Sequence, residues 1–421
     1  MTTNSVPSTQ AEITPTPTAV VWWTHVDALH RFVCDLVAAE LTILRRSNAT
    51  LPPLPWPSSL NLHDDLAVDS LEQLQLATAL AETLHLHESG IADYLMVKRT
   101  VAEWVEVAQT GLDHFSLSMT FRTSGSTGIA KSCTHSLQDL WQETVELAGL
   151  LASHRRIFSA VPSHHIYGFL FTILLPQALK LTDLPIIDLR RSSPAAMRNS
   201  LRRDDLVIAH PAFWQAAAGV LSGVAEGVVG VTSTAPCPDE ISAALRAAGL
   251  QRLLQIYGSS ETAGIGWRDD ETAPYALFEH WRRVPGQPNE LMRETKAGSL
   301  VRVSCPDTLA WSDDRHFFPV GRLDTAVQVA GINVFPSRVR QILLQHPLVR
   351  DAAVRLMRSD EGNRLKAFIV PHDAQGEHVA LQQELAAWVQ KRLTAAERPK
   401  VFSFGTTCPT GPNGKDADWI I

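Results

Sequence analysis

Cysteine is scarce in this chain, and the five it has, Cys34, Cys133, Cys237, Cys305 and Cys408, are scattered. No two stand at a metal-ligand spacing, and the odd count leaves no disulfide framework, which points to a reducing compartment, the cytoplasm. Long apolar runs are also missing. None reaches the roughly 20 residues that span a bilayer, and the N-terminus lacks a charged-then-apolar signal pattern, so no membrane is expected among the partners. Blocks of basic charge are missing too. With a formal net charge of −7, nucleic acid is excluded as the main partner. What the chain does have is 421 residues, 45% hydrophobic and 19% charged, enough for two or three domains with proper cores. Residues 1–24 open with a Pro/Thr/Ser-rich stretch and are expected to be a disordered tail.

From Val26 to Leu44 apolar residues recur at helical spacing: Leu29, Phe32, Val33, Leu36, Val37 and Leu41. A proline-rich loop follows over Leu51–Ser58. Ser70 then opens a second amphipathic stretch with Leu76, Leu80 and Leu84 on one face, and a third runs from Thr100 to Ala108. Ser70-Leu71-Glu72-Gln73 fits a helix-capping box, with Ser70 as the cap. The pattern predicts a helical bundle over 25–110.

The chain is organised around Thr123-Ser124-Gly125-Ser126-Thr127-Gly128-Ile129-Ala130-Lys131. It follows a strand-like alternation of Leu117, Met119 and Phe121 and precedes a helical stretch that starts near Ser136. Small hydroxyl residues and two glycines let backbone N–H groups wrap phosphate oxygens, and Lys131 adds positive charge. The spacing is not that of a Walker loop. Beyond it, short apolar runs at Ile157–Val161, Leu206–Ala209, Val228–Val231 and Leu253–Ile256 alternate with helical patterns, the rhythm of an α/β domain with a largely parallel sheet. In such sheets ligands sit beyond the carboxyl ends of the strands. Two further stretches fall there: Pro162-Ser163-His164-His165-Ile166-Tyr167-Gly168 and Tyr257-Gly258-Ser259-Ser260-Glu261-Thr262-Ala263-Gly264. In the second, an aromatic side chain suited to stacking on a purine precedes a hydroxyl and a carboxylate suited to Mg2+.

T-S-G-S-T-G-x-x-K resembles the signature loop of the adenylate-forming superfamily, the acyl-CoA synthetases, luciferases and peptide-synthetase adenylation domains. Ala130 stands where that family usually has proline. The two later stretches resemble its P-x-x-H-x-x-G and Y-G-x-[ST]-E-[TS] motifs. The resemblance implies that Thr123, Ser124, Gly125, Ser126, Thr127, Gly128 and Lys131 bind ATP phosphates, that Tyr257 stacks adenine, and that Ser260 contacts the α-phosphate. It further implies that Glu261 ligates Mg2+ and takes part in catalysis, and that His165 borders the acyl pocket. Thr232-Ser233-Thr234-Ala235-Pro236 occupies the place of S-G-G-A-P, which suggests a narrower or more polar pocket. Asp307, fifteen positions before Arg322, resembles the ribose-binding aspartate. Gly321-Arg322-Leu323-Asp324 resembles the hinge, with Arg322 among the cofactor-binding residues and Asp324 as pivot, and the Pro409–Lys415 tail resembles the family's P-x-x-x-x-G-K end, which implies Lys415 as the catalytic lysine. Tyr167, Phe169, Trp214 and Trp267 are the expected lining of an apolar acyl pocket.

Val26–Ala108, with Asp69-Ser70-Leu71 at the head of its second helix, resembles an acyl carrier protein, in which such a serine carries 4′-phosphopantetheine. The architecture implied is multidomain: an all-α four-helix carrier bundle (25–110), an α/β adenylating core truncated at its N-terminus (111–322), and a small, mobile α+β C-terminal domain (323–421). Ser260–Arg268 resembles the short ligases of aryl-polyene and xanthomonadin pigment pathways. The implied activity is ATP- and Mg2+-dependent activation of an aryl or fatty acid and its transfer to a phosphopantetheine thiol on Ser70, within one chain or across a homodimer. A phosphopantetheinyl transferase and downstream synthases or carriers would be partners. Two alternatives are a ligase that uses free coenzyme A with a structural carrier domain, and an inactive scaffold presenting a carrier.

Overall fold

The computed structural model describes residues 21–45, 50–123, 131–181, 184–322, 326–358, 360–373, 378–409 and 418–421. Residues 1–20 of the expected tail lie outside them. The N-terminal helices form where the periodicity puts them: α1 (Val26–Leu44), α2 (Ser70–Leu84) and α3 (Val101–His114). Helix α3 runs on to His114, past the Ala108 at which the amphipathic pattern stops. The cap of α2 is Asp69 rather than Ser70. Its side chain accepts from the Leu71 and Glu72 amides while Glu72 reaches back to the Asp69 amide, and Ser70 is the exposed first helical residue.

These helices do not make a free-standing carrier bundle. Among the described residues there are three α-helices between Val26 and His114, joined by irregular and 3-10 segments. Their apolar faces run into one continuous core with the sheet domain, from Trp22 to Phe317. Phe169, from the middle of the chain, stands 5.7 Å from Phe32 of α1 and 5.2 Å from Trp22. Burying each such phenylalanine contributes about 1.5–3 kcal/mol, and the core that α1 helps to build is the one it shares with the sheet domain.

A hairpin of β1 (Ser118–Thr123) and β2 (Lys131–Ser136) follows, pairing Thr123 with Lys131. Ser136 caps α4 (Leu137–Leu150). Among the described residues the main sheet has nine strands. Its parallel half comprises β3 (Arg156–Ser159), β4 (Ile187–Asp188), β5 (Asp205–Ala209), β6 (Val229–Thr232) and β7 (Arg252–Ser259), in the order β4-β3-β5-β6-β7. Between β3 and β4 lie the short α5 (Ile166–Phe169), a π-helical turn at Leu170–Leu174 and α6 (Leu175–Ala178). Helices α7 (Pro194–Ser200), α8 (Pro211–Ala218) and α9 (Asp239–Ala247) complete the crossovers.

Beyond β7 the sheet turns antiparallel through β8 (Ala263–Arg268) and β9 (Tyr275–Leu277) to β14 (His316–Arg322) and β13 (Asp307–Trp311). A three-stranded sheet of β10 (Trp281–Arg283), β11 (Glu290–Glu294) and β12 (Leu300–Ser304) flanks it. The C-terminal part has its own core. It is built from the hairpin β15 (Val327–Val329) and β16 (Ile332–Val334), then α10 (Pro336–Leu344), β17 (Val349–Leu356), β18 (Leu365–Pro371), α11 (His378–Gln390) and β19 (Val401–Phe404). This is the small α+β unit that the sequence predicts.

Candidate active site

The β1–β2 hairpin, the carboxyl end of β7 and the β13–β14 pair meet around one site. Lys131 opens β2, and its Nζ lies 2.9 Å from Oε1 of Glu261. Two residues 130 positions apart in sequence are thereby brought into one ion pair. The pair holds the Glu261 carboxyl below its ordinary range, because the Lys131 ammonium offsets the desolvation. His135, further along β2, bonds through Nε2 to the Ser260 carbonyl at 2.7 Å, and burial lowers its pKa. The hairpin is therefore fastened to the Ser260-Glu261 turn at two points.

The turn is braced from behind. Glu143 of α4 is fully buried and accepts the Gly264 amide on both oxygens, at 3.0 and 3.1 Å. Arg293 donates to the carbonyls of Asp139 and Thr262. A Cβ at Gly264 would lie 2.3 Å from Oε1 of Glu143 and 2.9 Å from the Phe278 ring, so a side chain here would have to displace this brace.

Tyr257 is half-buried at the end of β7 with its ring 5.4 Å from both Tyr275 and Phe317. Its hydroxyl donates to Oδ2 of Asp307. Asp307 is in turn the cross-strand partner of Arg322. Tyr257 and Asp307, expected at the base and the ribose, thus stand together with the backbone of Arg322, although only spacing links Asp307 to the others in the sequence.

His165 precedes α5 with its ring exposed and 4.2 Å from the His164 ring. The motif's final glycine has a steric cause: a Cβ at Gly168 would fall 1.8 Å from the Pro162 carbonyl oxygen. Of the expected acyl lining, Tyr167 bonds to the Ala209 carbonyl at 3.1 Å, and Trp267 lies on β8, partly buried. Phe169 and Trp214 are corrections. Phe169 packs into the core against α1, and Trp214 is buried with its indole N–H on the Val231 carbonyl, in the cluster that holds α7 and α8 to the sheet.

The polar substitutions before Ala235 are spent locally. Ser233 Oγ donates to the Ile256 carbonyl at 2.9 Å, and Thr234 adopts a left-handed φ of +79°, a conformation rare for a β-branched residue. The β15–β16 turn approaches the same place, since a Cβ at Gly331 would meet Thr234 Oγ1 at 2.7 Å.

Ser124, Gly125, Ser126, Thr127, Gly128, Asp324 and Lys415 lie outside the described residues. Thr123 and Arg322 are placed by their strands. Ser70 stands on α2, within the N-terminal helices. Sequence reasoning passed over His135, Glu143 and Arg293. Each stands on an element outside the motifs, and no local pattern marks its contact.

The description "AMP-binding enzyme" belongs to a family model that matches residues 59–289, and its companion, "AMP-binding enzyme C-terminal domain", matches residues 339–415. The chain belongs to the AMP-binding enzyme family. The first match begins before α2, inside the segment that resembles a carrier, so the second and third helices are part of the AMP-binding domain itself. Among relatives, a 4-coumarate–CoA ligase of Cereibacter sphaeroides is 38% identical over 415 residues, covering 93% of this chain and 96% of its own. A protein of the same name from Halorhodospira halophila is 36% identical, over 93% and 98%. The fold is shared with the amide bond synthetase of Marinactinospora thermotolerans, at a TM-score of 0.59, 17% identity and 94% and 97% coverage. It is shared as well with an o-succinylbenzoate CoA synthetase of Bacillus subtilis, at 0.57, 19% identity and 71% and 67% coverage. An AMP-forming acid–thiol ligase is what this family membership and these relatives support.

Proposed function

We propose that the protein is an ATP-dependent ligase that joins an aryl carboxylic acid of the hydroxycinnamate class to free coenzyme A. The observation that carries this is the full-length likeness to 4-coumarate–CoA ligases, together with N-terminal helices that share the enzyme's core. A carrier that loads itself must present its serine on a module free to move. Ser70 sits on a helix packed into that core, so the free-coenzyme reading is preferred to self-loading through phosphopantetheine.

In the first step a carboxylate oxygen attacks the α-phosphorus of ATP, forming acyl-adenylate and releasing pyrophosphate. Lys131 and the Thr123–Gly128 loop hold the phosphates, Tyr257 and Asp307 hold the nucleoside, and Lys415 neutralises charge developing between carboxylate and phosphate. The residues present fit Mg2+. Glu261 offers one carboxylate beside the phosphate-binding lysine, and among the described residues no cluster of three or more His, Cys, Asp or Glu forms an all-protein cage. Mg2+ is bound by one or two carboxylates plus substrate phosphates, and when bound it supplies charge neutralisation. In the second step the coenzyme A sulfur attacks the acyl carbonyl and AMP leaves, after the C-terminal domain turns about Asp324.

The test is pyrophosphate release and thioester formation with 4-coumarate, benzoate and a medium-chain fatty acid. Turnover of 4-coumarate with free coenzyme A is expected. Acylation of the protein itself in place of coenzyme A would restore the carrier reading.

A further inference from the structure

The turn that carries His165 is held by a residue from the N-terminal helix. Asp35 of α1 is only 2% exposed, an expensive place for a carboxylate unless it is paired. Its Oδ2 accepts both the backbone amide and the hydroxyl of Ser163, each at 2.7 Å. Its Oδ1 accepts Nη1 of Arg190 at 2.6 Å. Arg190 is itself fixed by the carboxylate of Asp188, at the end of β4. Beside this cluster, Arg31, one helical turn before Asp35, donates to the carbonyl of Thr172 in the π-helical turn. Four of these groups, Arg31, Asp35, Asp188 and Arg190, line one cavity of about 420 Å³ with Val161 and Ile173.

We infer that Asp35 is a positioning residue for the acyl site: it locks the Pro162-Ser163-His164-His165 turn, and with it the placement of His165 and Tyr167. Three observations converge on this. The turn has little internal slack, since Gly168 already packs its backbone against the Pro162 carbonyl. Both donors of Ser163 are spent on Asp35 rather than on the turn itself. The carboxylate comes from the helix whose Phe32 packs on Phe169 next to the same turn. Helix α1 thereby supplies a buried ionic clamp as well as apolar packing.

The inference rests on the proposed acyl-site role of His165, and its test separates the two. The Michaelis constants for 4-coumarate and for ATP are measured on full-length wild type, Asp35→Asn, Ser163→Ala and His165→Ala. Asparagine keeps the shape of Asp35 but loses its charge and one acceptor, and Ser163→Ala removes only the hydroxyl donor. The expected result is a KM for 4-coumarate raised about ten- to a hundredfold in Asp35→Asn, a smaller rise in Ser163→Ala, and a KM for ATP within about twofold of wild type in both. A purely structural role for Asp35 would lower Tm and active fraction but leave both Michaelis constants unmoved, and that overturns the inference. If Asp35→Asn does not fold, the folded Ser163→Ala decides alone: an unchanged ratio of the two constants overturns the inference. If His165→Ala leaves the KM for 4-coumarate unchanged, the role of His165 falls. If wild type turns over no aryl acid at all, the proposed function falls.

Discussion

At the scale of single residues, the site turns on the Lys131–Glu261 ion pair and the Tyr257–Asp307 hydrogen bond. Removing a preorganised charge from a phosphoryl-transfer site costs about 10²–10³ in rate. Lys131→Ala and Glu261→Gln should each lose that much acid-dependent pyrophosphate release, while folding is retained because the pair is partly solvent-exposed. Asp307→Asn leaves Tyr257 a neutral acceptor in place of a carboxylate and weakens the grip on the nucleoside. Its KM for ATP should rise about tenfold, a loss of roughly 1.4 kcal/mol of binding, with the KM for the acid unchanged. Lys131, Tyr257 and Glu261 could be singled out in the sequence because each stands in a contiguous motif. Asp307 was legible only by spacing. Phe169 and Trp214 were misplaced because an apolar residue near a motif gives no sign of whether it faces a pocket or the core. His135, Glu143 and Arg293 bind the motif from other elements, and nothing local marks them.

At the scale of elements, two packing features set the turns that carry the chemistry. Gly168 within α5 lies so close to the Pro162 carbonyl that Gly168→Ala must push backbone apart. Overpacking of this kind costs typically 1–3 kcal/mol and can cost more, so the variant should melt several degrees lower and lose activity on 4-coumarate. Helix α4 supports β8 through Glu143. Burial raises that carboxyl from 4.5 to about 8, with Arg293 and the Gly264 amide opposing. Between those values the folded protein holds a proton that the unfolded chain has released. The group therefore adds stability at the acid end, and that stability is lost as pH rises from about 4.5 toward 8. Wild-type Tm, measured against Glu143→Gln across this window, should fall more steeply with rising pH. Parallel curves would refute the assignment. The strands and helices themselves were legible from periodicity, as in α1 and β5, where burial is one-sided or complete. The β2 strand was not, because its residues alternate too few apolar groups to distinguish a hairpin arm from a loop.

At the scale of the whole molecule, the lesson concerns the N-terminal helices. Their order, and a serine at the head of α2, resemble a carrier, yet the same apolar faces bury themselves against the sheet domain through Phe32, Phe169 and Trp22. Helical periodicity records that a face is buried. It does not record against what, so an independent bundle and the first layer of a larger enzyme read alike. The distinction decides which thiol receives the acyl group. The most direct test is to incubate the full chain, with and without prior treatment by a phosphopantetheinyl transferase, with ATP, Mg2+, 4-coumarate and coenzyme A, and to follow both the small-molecule thioester and the intact protein mass. The account predicts 4-coumaroyl-CoA at equal rates in both samples, unchanged in Ser70→Ala and abolished in Glu261→Gln. An ATP-dependent acyl mass on the treated protein, lost in Ser70→Ala and unaccompanied by 4-coumaroyl-CoA, would contradict it.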